Sequence, residues 1–414
     1  ELVEMTNSSM DAIALALLEK LKVRERRGEH KLRVTEGVYG TPLWGETEKR
    51  VAALAKAFLE YAAGIKKFLR SCEKMPENVQ EKFNGLLVDL KGIRGRVESV
   101  AQELSFFVSR DPAYCRWFEV KCGPKGMAVR LCSSPLAVAP AIKQAVWDRF
   151  RTVILTSATL AVGERFTFLR ERTGLNLVAG DRVRELLLPS PFDYRRQAFV
   201  GIPSDLPDPT TPGFGPKLQD GLLRALAVSG GRAFVLFTSY DLLRRTYDAL
   251  AGDLRRMGLT PMRQGEMNRH LLLQKFRAAD APVLFGTDSF WEGVDVKGRG
   301  LELVAITRLP FRVPTEPVLE ARSEEVAARG GDPFMEYTIP QAVIRFKQGF
   351  GRLIRSRDDR GCVLILDSRV LSKGYGRRFL DALPPVEPLA GRGEDVYAAM
   401  QSFFSAMAPI DPPA

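Results

Sequence analysis

Gln348, Arg352 and Arg355 stand at positions i, i+4 and i+7 of the stretch Ile339–Arg355, IPQAVIRFKQGFGRLIR. On a helix that spacing puts all three on one face. Val343, Phe346, Phe350, Leu353 and Ile354 fall on another side, so the helix has an apolar face to bury. Pro340 suits the first helical position, with Thr338 or Ile339 ahead of it as the cap. Gly349 and Gly351 each cost a helix interior about 1 kcal/mol relative to Ala, so something is expected to approach this backbone closely. An amide beside two permanently charged planar forks can stabilise the charge that develops on a transferring phosphoryl group. A solvated polar face is the alternative reading of the two arginines, since exposed arginines are common.

Three further stretches fall where strands are expected to end, the edge at which an open α/β sheet offers ligands. Ser157-Ala-Thr-Leu160 follows the apolar run Thr152–Thr156, which reads as a buried strand. The hydroxyls of Ser157 and Thr159 suit hydrogen bonding across a domain cleft, coupling domain closure to nucleotide state; strand termination by small polar residues is the alternative. In Leu236-Phe-Thr-Ser-Tyr240, the residues Thr238, Ser239 and Tyr240 end a strand and open a helix, a site for a backbone phosphate. Thr287 and Ser289, in the run GTDSFWEGVD from Gly286 to Asp295, offer the same chemistry. Tyr240, Phe290 and Trp291 either stack on bases or fill a core; Phe290 is assigned to the core and Trp291 is kept with Tyr240 as a candidate for DNA. Glu292 and Asp295 flank Gly293 in a loop, placed to hold a nucleotide ribose or to orient Arg352 and Arg355.

The elements that must position these residues follow from periodicity. From Pro189 onward, strands alternate with helices: Ala198–Ile202, Ala233–Thr238, Val283–Phe285, Leu301–Ile306 and Cys362–Leu366 are the strands, with helices at Leu218–Ala227 and Tyr240–Met257. That alternation implies a parallel three-layer α/β sheet with right-handed crossovers. Before it, Cys115–Lys121 and Met127–Cys132 read as two strands about a Gly-Pro-Lys-Gly turn. Val51, Leu54, Phe58, Ala62, Ile65 and Leu69, then Phe83, Leu86, Leu90, Ile93, Val97, Val100, Leu104 and Phe107, step by three and four like a coiled-coil seam. They imply a long antiparallel helical hairpin broken at Met75–Asn78.

The 414 residues suffice for two or three domains. No apolar run of about 18 residues occurs, which excludes a predicted membrane helix. The formal net charge of +11 favours a polyanionic partner. Five cysteines, an odd number in a large chain, read as reduced thiols in a cytoplasmic protein. Cys115, Cys122 and Cys132 are spaced too irregularly to make a good iron–sulfur ligand set, and core thiols are the expectation. No set of residues suggests a metal site.

In order and spacing, the four stretches resemble motifs III, IV, V and VI of the DinG/XPD-type superfamily-2 DNA helicases. The segment FWEGVD followed by ITRLPF (Ile306–Phe311) and the string Gln348-x-x-Gly-Arg352-x-x-Arg355 carry the resemblance. It covers about Leu131 to Arg369, and the helical N-terminal part corresponds only by position, to the family's arch insertion. The resemblance implies a RecA-like parallel three-layer sandwich of the P-loop NTPase type with a helical arch. It implies residues 1–120 as the arch, 121–188 as the end of a first RecA-like domain and 189–414 as a second. It further implies Arg352, Arg355 and Gln348 as catalytic, Glu292, Gly293 and Asp295 as nucleotide-binding, and Ser157 and Thr159 as coupling groups.

The implied activity is ATP-dependent 5′-to-3′ translocation on single-stranded DNA with duplex unwinding, by a monomer. ATP and Mg2+ would be held largely by residues outside this chain. No G-x-x-x-x-G-K-[ST] and no DEAH sequence occurs in it, so by itself the chain is expected not to hydrolyse ATP. In the family those motifs precede the arch, and the opening Glu1-Leu-Val-Glu resembles the stretch just after DEAH. The rival expectation is a non-catalytic nucleic-acid-binding or regulatory module derived from a helicase.

Overall fold

The computed structural model describes residues 1–23, 28–123, 126–291, 300–312 and 316–406, with the side chains of Asp288 and Ser289 left aside. Glu292, Gly293 and Asp295 lie outside the described residues. The chain divides into two compact units, Glu1–Val138 with Pro314–Glu325, and Ala139–Val313 with Val326–Ala414.

The first unit holds helix α1 (Leu2–Lys20), strand β1 (Gly28–Arg33), the long helices α2 (Pro42–Cys72) and α3 (Glu77–Val108), and strands β2 (Tyr114–Gly123) and β3 (Gly126–Pro135). β1, β2 and β3 form an antiparallel sheet in that order. Its alternation sends Phe118, Val120 and Cys122 into a core with Ile13, Leu17, Trp44 and Phe107. Lys31 and Arg33, in register opposite Glu119 and Trp117, reach Glu316 and, on helix α8 (Pro317–Ala328), Glu320 and Glu324. The expected hairpin is present as α2 and α3, but its second seam is largely uncovered: Phe83 and Leu86 are 47% and 67% exposed. Two helices alone cover only the faces they turn to each other, and no third element among the described residues covers the rest.

The second unit is built on a seven-stranded, wholly parallel sheet. Its strands are β4 (Ala198–Pro203), β5 (Ala233–Leu236), β6 (Thr260–Arg263), β7 (Pro282–Gly286), β8 (Leu303–Ile306), β9 (Gly361–Ile365) and β10 (Leu389–Gly391). They lie in the order β10-β4-β9-β8-β5-β7-β6. The short apolar runs Ala-Phe-Val-Leu, Leu-Val-Ala-Ile and Gly-Cys-Val-Leu-Ile are buried at every residue, as strands covered on both faces must be. On one face Phe234, Leu236, Val304 and Ile306 meet α6 (Arg269–Ala278) and α9 (Ile339–Phe350). On the other, Val235, Phe285, Leu303 and Leu364 meet α4 (Phe214–Ser229), α5 (Tyr240–Arg256) and α10 (Gly393–Ser405). This is the expected RecA-like three-layer sandwich. Strands β1, β6 and β10 are additions to the elements legible in the sequence.

One expected strand is absent. Residues 152–156 form no ladder; Val153, Ile154 and Leu155 are 39%, 84% and 44% exposed. A parallel strand needs neighbours to take its N–H and C=O groups, and no strand among the described residues pairs with this run.

Candidate nucleotide and nucleic-acid site

The strand order sets the carboxyl ends of β5, β7 and β6 side by side. Thr238, Ser239 and Tyr240 follow β5. Ser239 caps α5, its Oγ accepting from the N–H of Leu242 at 3.3 Å. Thr287 follows β7, and both its N–H and its hydroxyl donate to Oε1 of Gln264, at 2.7 and 2.9 Å. Tyr240 is 48% exposed and its hydroxyl donates to the main-chain oxygen of Gln264 at 3.2 Å. Gln264 thus stitches three strand ends together. The sequence reading missed it, because nothing in Arg263-Gln264-Gly265 marks it; only the pairing of β6 with β7 brings it against Thr287. With its hydroxyl and N–H both committed to Gln264, Thr287 has no hydrogen left for a phosphate here, so the expected phosphate contact requires the Gln264 bonds to be exchanged. Ser289 belongs to the short helix Asp288–Trp291, α7, and its side chain is not described.

Trp291 corrects its assignment to DNA. It is fully buried, and its Nε1 donates to the main-chain oxygen of Phe237 at 3.1 Å. A sealed indole offers no face to a base. What it offers instead is a wall for the arginine-bearing segment. A Cβ on Gly349 would lie 2.8 Å from the Trp291 ring, so this glycine is the close approach expected from the sequence. Gly351 faces only carbonyls of its own turn, the nearer at 3.3 Å. Phe290, at 1% exposure, is core as expected.

The helix itself is shorter than its periodicity suggests. α9 ends at Phe350 with Gly351 as its cap residue, and Arg352 N–H donates to Gly349 O at 3.3 Å. Leu353 N–H donates to Phe350 O at 3.1 Å, again a tightened three-residue turn. Leu353 and Ile354 stay buried, at 2% and 4%. Arg352 and Arg355 therefore leave the helical register in which Gln348 sits, and other contacts must place them. At its start α9 continues a π-turn, Phe334–Thr338, so neither Thr338 nor Ile339 is a side-chain cap.

Arg352 is placed by Trp291, its Nε donating to the main-chain oxygen at 3.0 Å. For Arg355 the anchor is Asp359, a carboxylate only 5% exposed. Its Oδ2 accepts from the N–H groups of Arg355 and Ser356 at 2.7 and 2.8 Å, and its Oδ1 from the Ser356 hydroxyl at 2.8 Å. Gln197, equally buried, donates its amide to the carbonyls of Ser356, Arg357 and Asp359 at 3.0, 3.1 and 2.8 Å. Neither was found in the sequence. The Ser-x-x-Asp spacing of Ser356 and Asp359 is a turn signal that was available. Gln197 lies too far along the chain for any local signal.

Gln348 keeps its Oε1 buried with no hydrogen-bond partner among the described residues. Its neighbour Lys347 donates to Ala161 O at 3.3 Å, and burial pushes that ammonium below its usual pKa. The contact brings the 157–161 segment to α9. Ser157 and Thr159 hydroxyls lie 3.1 Å from each other, with Thr159 N–H donating to Ser157 Oγ at 3.2 Å. They close a turn on an exposed loop rather than end a strand. Among the described residues no group of three or more His, Cys, Asp or Glu could hold a metal ion, and no helix is long and apolar enough to cross a membrane.

The fold is thus a parallel three-layer sandwich that gathers Thr238, Ser239, Tyr240 and Thr287 at adjacent strand ends and ties Arg352 to Trp291. Residues 222–386 match the family model described as Helicase C-terminal domain. The chain is 41% identical over 290 residues to "ATP-dependent DNA helicase YoaA" of Escherichia coli, covering 70% of this chain and 43% of that protein. It is 35% identical over 300 residues to "3'-5' exonuclease DinG" of Bacillus subtilis, covering 71% of this chain and 32% of that protein. A solved structure described as "Structure of S. tokodaii Xpd4" superposes with a TM-score of 0.51 at 14% identity, over 94% of this chain and 71% of that one, a likeness of fold. The chain is thus similar to proteins named DinG and YoaA, and the similarity includes the helicase C-terminal domain matched by residues 222–386. It spans less than half the length of those two relatives.

Proposed function

We propose that this chain is the C-terminal part of an ATP-dependent DNA helicase that couples ATP hydrolysis to 5′-to-3′ movement along single-stranded DNA. The observation that carries the reading is the mooring of Arg352 to Trp291, beside the carboxyl ends of β5 and β7. Through Trp291, Arg352 is tied to Phe237, the residue just before Thr238, Ser239 and Tyr240, which supports a reading in which nucleotide and DNA backbone meet the same edge. Arg352 and Arg355 act on the γ-phosphoryl group of ATP in the cleft with a first RecA-like domain. Glu292, Gly293 and Asp295 contact the nucleotide. The unpartnered Gln348 Oε1 fits this use, since it can accept from an attacking water. Mg2+, when bound, neutralises charge between the phosphates, and its ligands belong outside this chain. The sites Ser157 and Thr159 relay closure through the loop that Lys347 holds.

Hydrolysis needs the phosphates cradled and magnesium held before an arginine can act, so the isolated chain is inactive in this reading. The test compares the purified chain with the full-length protein in an ATPase assay with and without single-stranded DNA, and follows unwinding of duplexes with 5′ or 3′ tails. DNA-stimulated turnover and unwinding of the 5′-tailed duplex by the full-length protein alone support the proposal. Turnover by the isolated chain, or preference for the 3′ tail, overturns it.

A further inference from the structure

The α-helical spacing of Gln348, Arg352 and Arg355 does not place the last arginine, because α9 stops at Phe350, five residues short of it. Arg355 lies on an irregular stretch whose next regular element is β9, starting at Gly361. A charged fork at the end of such a stretch needs its backbone fixed by other means if it is to meet a reacting group reproducibly. The knot around Asp359 does this. A carboxylate buried to 5% exposure accepts three hydrogen bonds from Arg355 and Ser356, including the Arg355 N–H itself. Gln197 closes the knot from the other side, holding three successive parts of the same loop by their carbonyls. Gln197 directly precedes β4, whose first residue, Ala198, pairs with Gly361 at the start of β9. The loop is thereby referred to the rigid sheet rather than to the helix.

We infer that Asp359 and Gln197 are positioning residues for Arg355: they set the path of its backbone and, through it, the place of its guanidinium at the transferring phosphoryl group. The inference rests on the role proposed above for Arg355. Their burial points the same way. A carboxylate and an amide taken out of water are costly unless bonded, and here both carboxylate oxygens of Asp359 and the amide nitrogen of Gln197 are spent on one short loop.

The test uses the full-length protein and measures kcat and KM for ATP in saturating single-stranded DNA. Asp359→Asn replaces an acceptor with a donor that faces N–H groups. It should lower kcat by about 10²-fold, with KM within about three-fold, because a misplaced fork weakens the transition state more than the bound ground state. Gln197→Met should do the same to a smaller degree. Ser356→Ala, which deletes a single hydroxyl, should cost a few-fold and keeps the test open should Asp359→Asn not fold. The discriminating readout is the double variant Asp359→Asn with Arg355→Ala: its kcat should equal that of Arg355→Ala alone, since a group acting only through Arg355 has nothing left to act on. If Arg355→Ala is crippled while the Asp359, Gln197 and Ser356 variants turn over as wild type, or if the losses multiply in the double variant, the inference falls and the role of Arg355 stands. If Arg355→Ala itself turns over normally, the proposed role of Arg355 fails and takes the inference with it.

Discussion

Arg352 Nε donates to the main-chain oxygen of Trp291 at 3.0 Å, while the indole of Trp291 donates to Phe237 O at 3.1 Å. The arginine is therefore tied, through one buried tryptophan, to the end of the strand that also presents Thr238, Ser239 and Tyr240. In the function proposed above, the residues assigned to nucleotide and to DNA would share this anchor.

Replacing Arg352 or Arg355 with Ala in the full-length protein should lower ATP turnover by roughly 10³ or more, by analogy with arginine fingers of other nucleotide hydrolases. Equilibrium ATP binding should change far less, because the charge is needed most as the phosphoryl group detaches. Lys at Arg352 should rescue little, since its point charge cannot both reach phosphate and replace the bond to Trp291 O. Turnover within a few-fold of wild type in either Ala variant would reduce this stretch to a solvated surface.

Gly349→Ala puts a methyl group 2.8 Å from the Trp291 ring. The ring is enclosed and its Nε1 is bonded, so it cannot yield freely. Helix propensity favours Ala here, yet the overpacking should prevail and destabilise the fold by about 1–3 kcal/mol. Urea unfolding of the chain measures it; a stabilised variant would show that the wall is soft. Gly351→Ala, with only its own turn at 3.3 Å, should be much milder.

Single-stranded DNA should bind the chain weakly, with log affinity falling linearly as log salt rises, and with little dependence on base sequence. Tyr240→Ala should weaken binding, since this ring is half exposed at the strand end, whereas Trp291→Phe should leave affinity unchanged while lowering stability. Fluorescence anisotropy with labelled homopolymers across a salt series reads both. Affinity indifferent to salt would count against phosphate contacts.

The carboxyl group of Glu324 is held below its usual value of 4.5 by its hydrogen bonds to Arg33. A carboxylate depressed on folding contributes stability above its unfolded pKa, and loses it as pH falls through the folded value. Glu324→Gln should thus lower stability in urea modestly at pH 7, by about 0.5 kcal/mol or less because the carboxylate is exposed, and not at all well below pH 4. A wild-type-to-variant gap that widens in acid would reverse the assignment.

Much of this molecule is legible without its structure. Short apolar runs such as Leu303–Ile306, alternating with helical stretches from Pro189 onward, read as strands buried on both faces, so the parallel sandwich was legible in the pattern. Gly349 announced a close contact by its cost in a helix, though not that Trp291 would supply it. The tertiary structure decided the rest. Periodicity extended α9 to Arg355, because Leu353 and Ile354 are apolar at helical spacing, but they are buried from a turn that two glycines and the Asp359 knot impose. Val153, Ile154 and Leu155 have the composition of a strand and none of its ladder, since a strand is a relation between segments rather than a property of one. Gln264 and Gln197 carry no local signal at all. Their roles exist only because strand pairing sets Met262 beside Leu284 and Ala198 beside Gly361, bringing together residues that the chain keeps far apart.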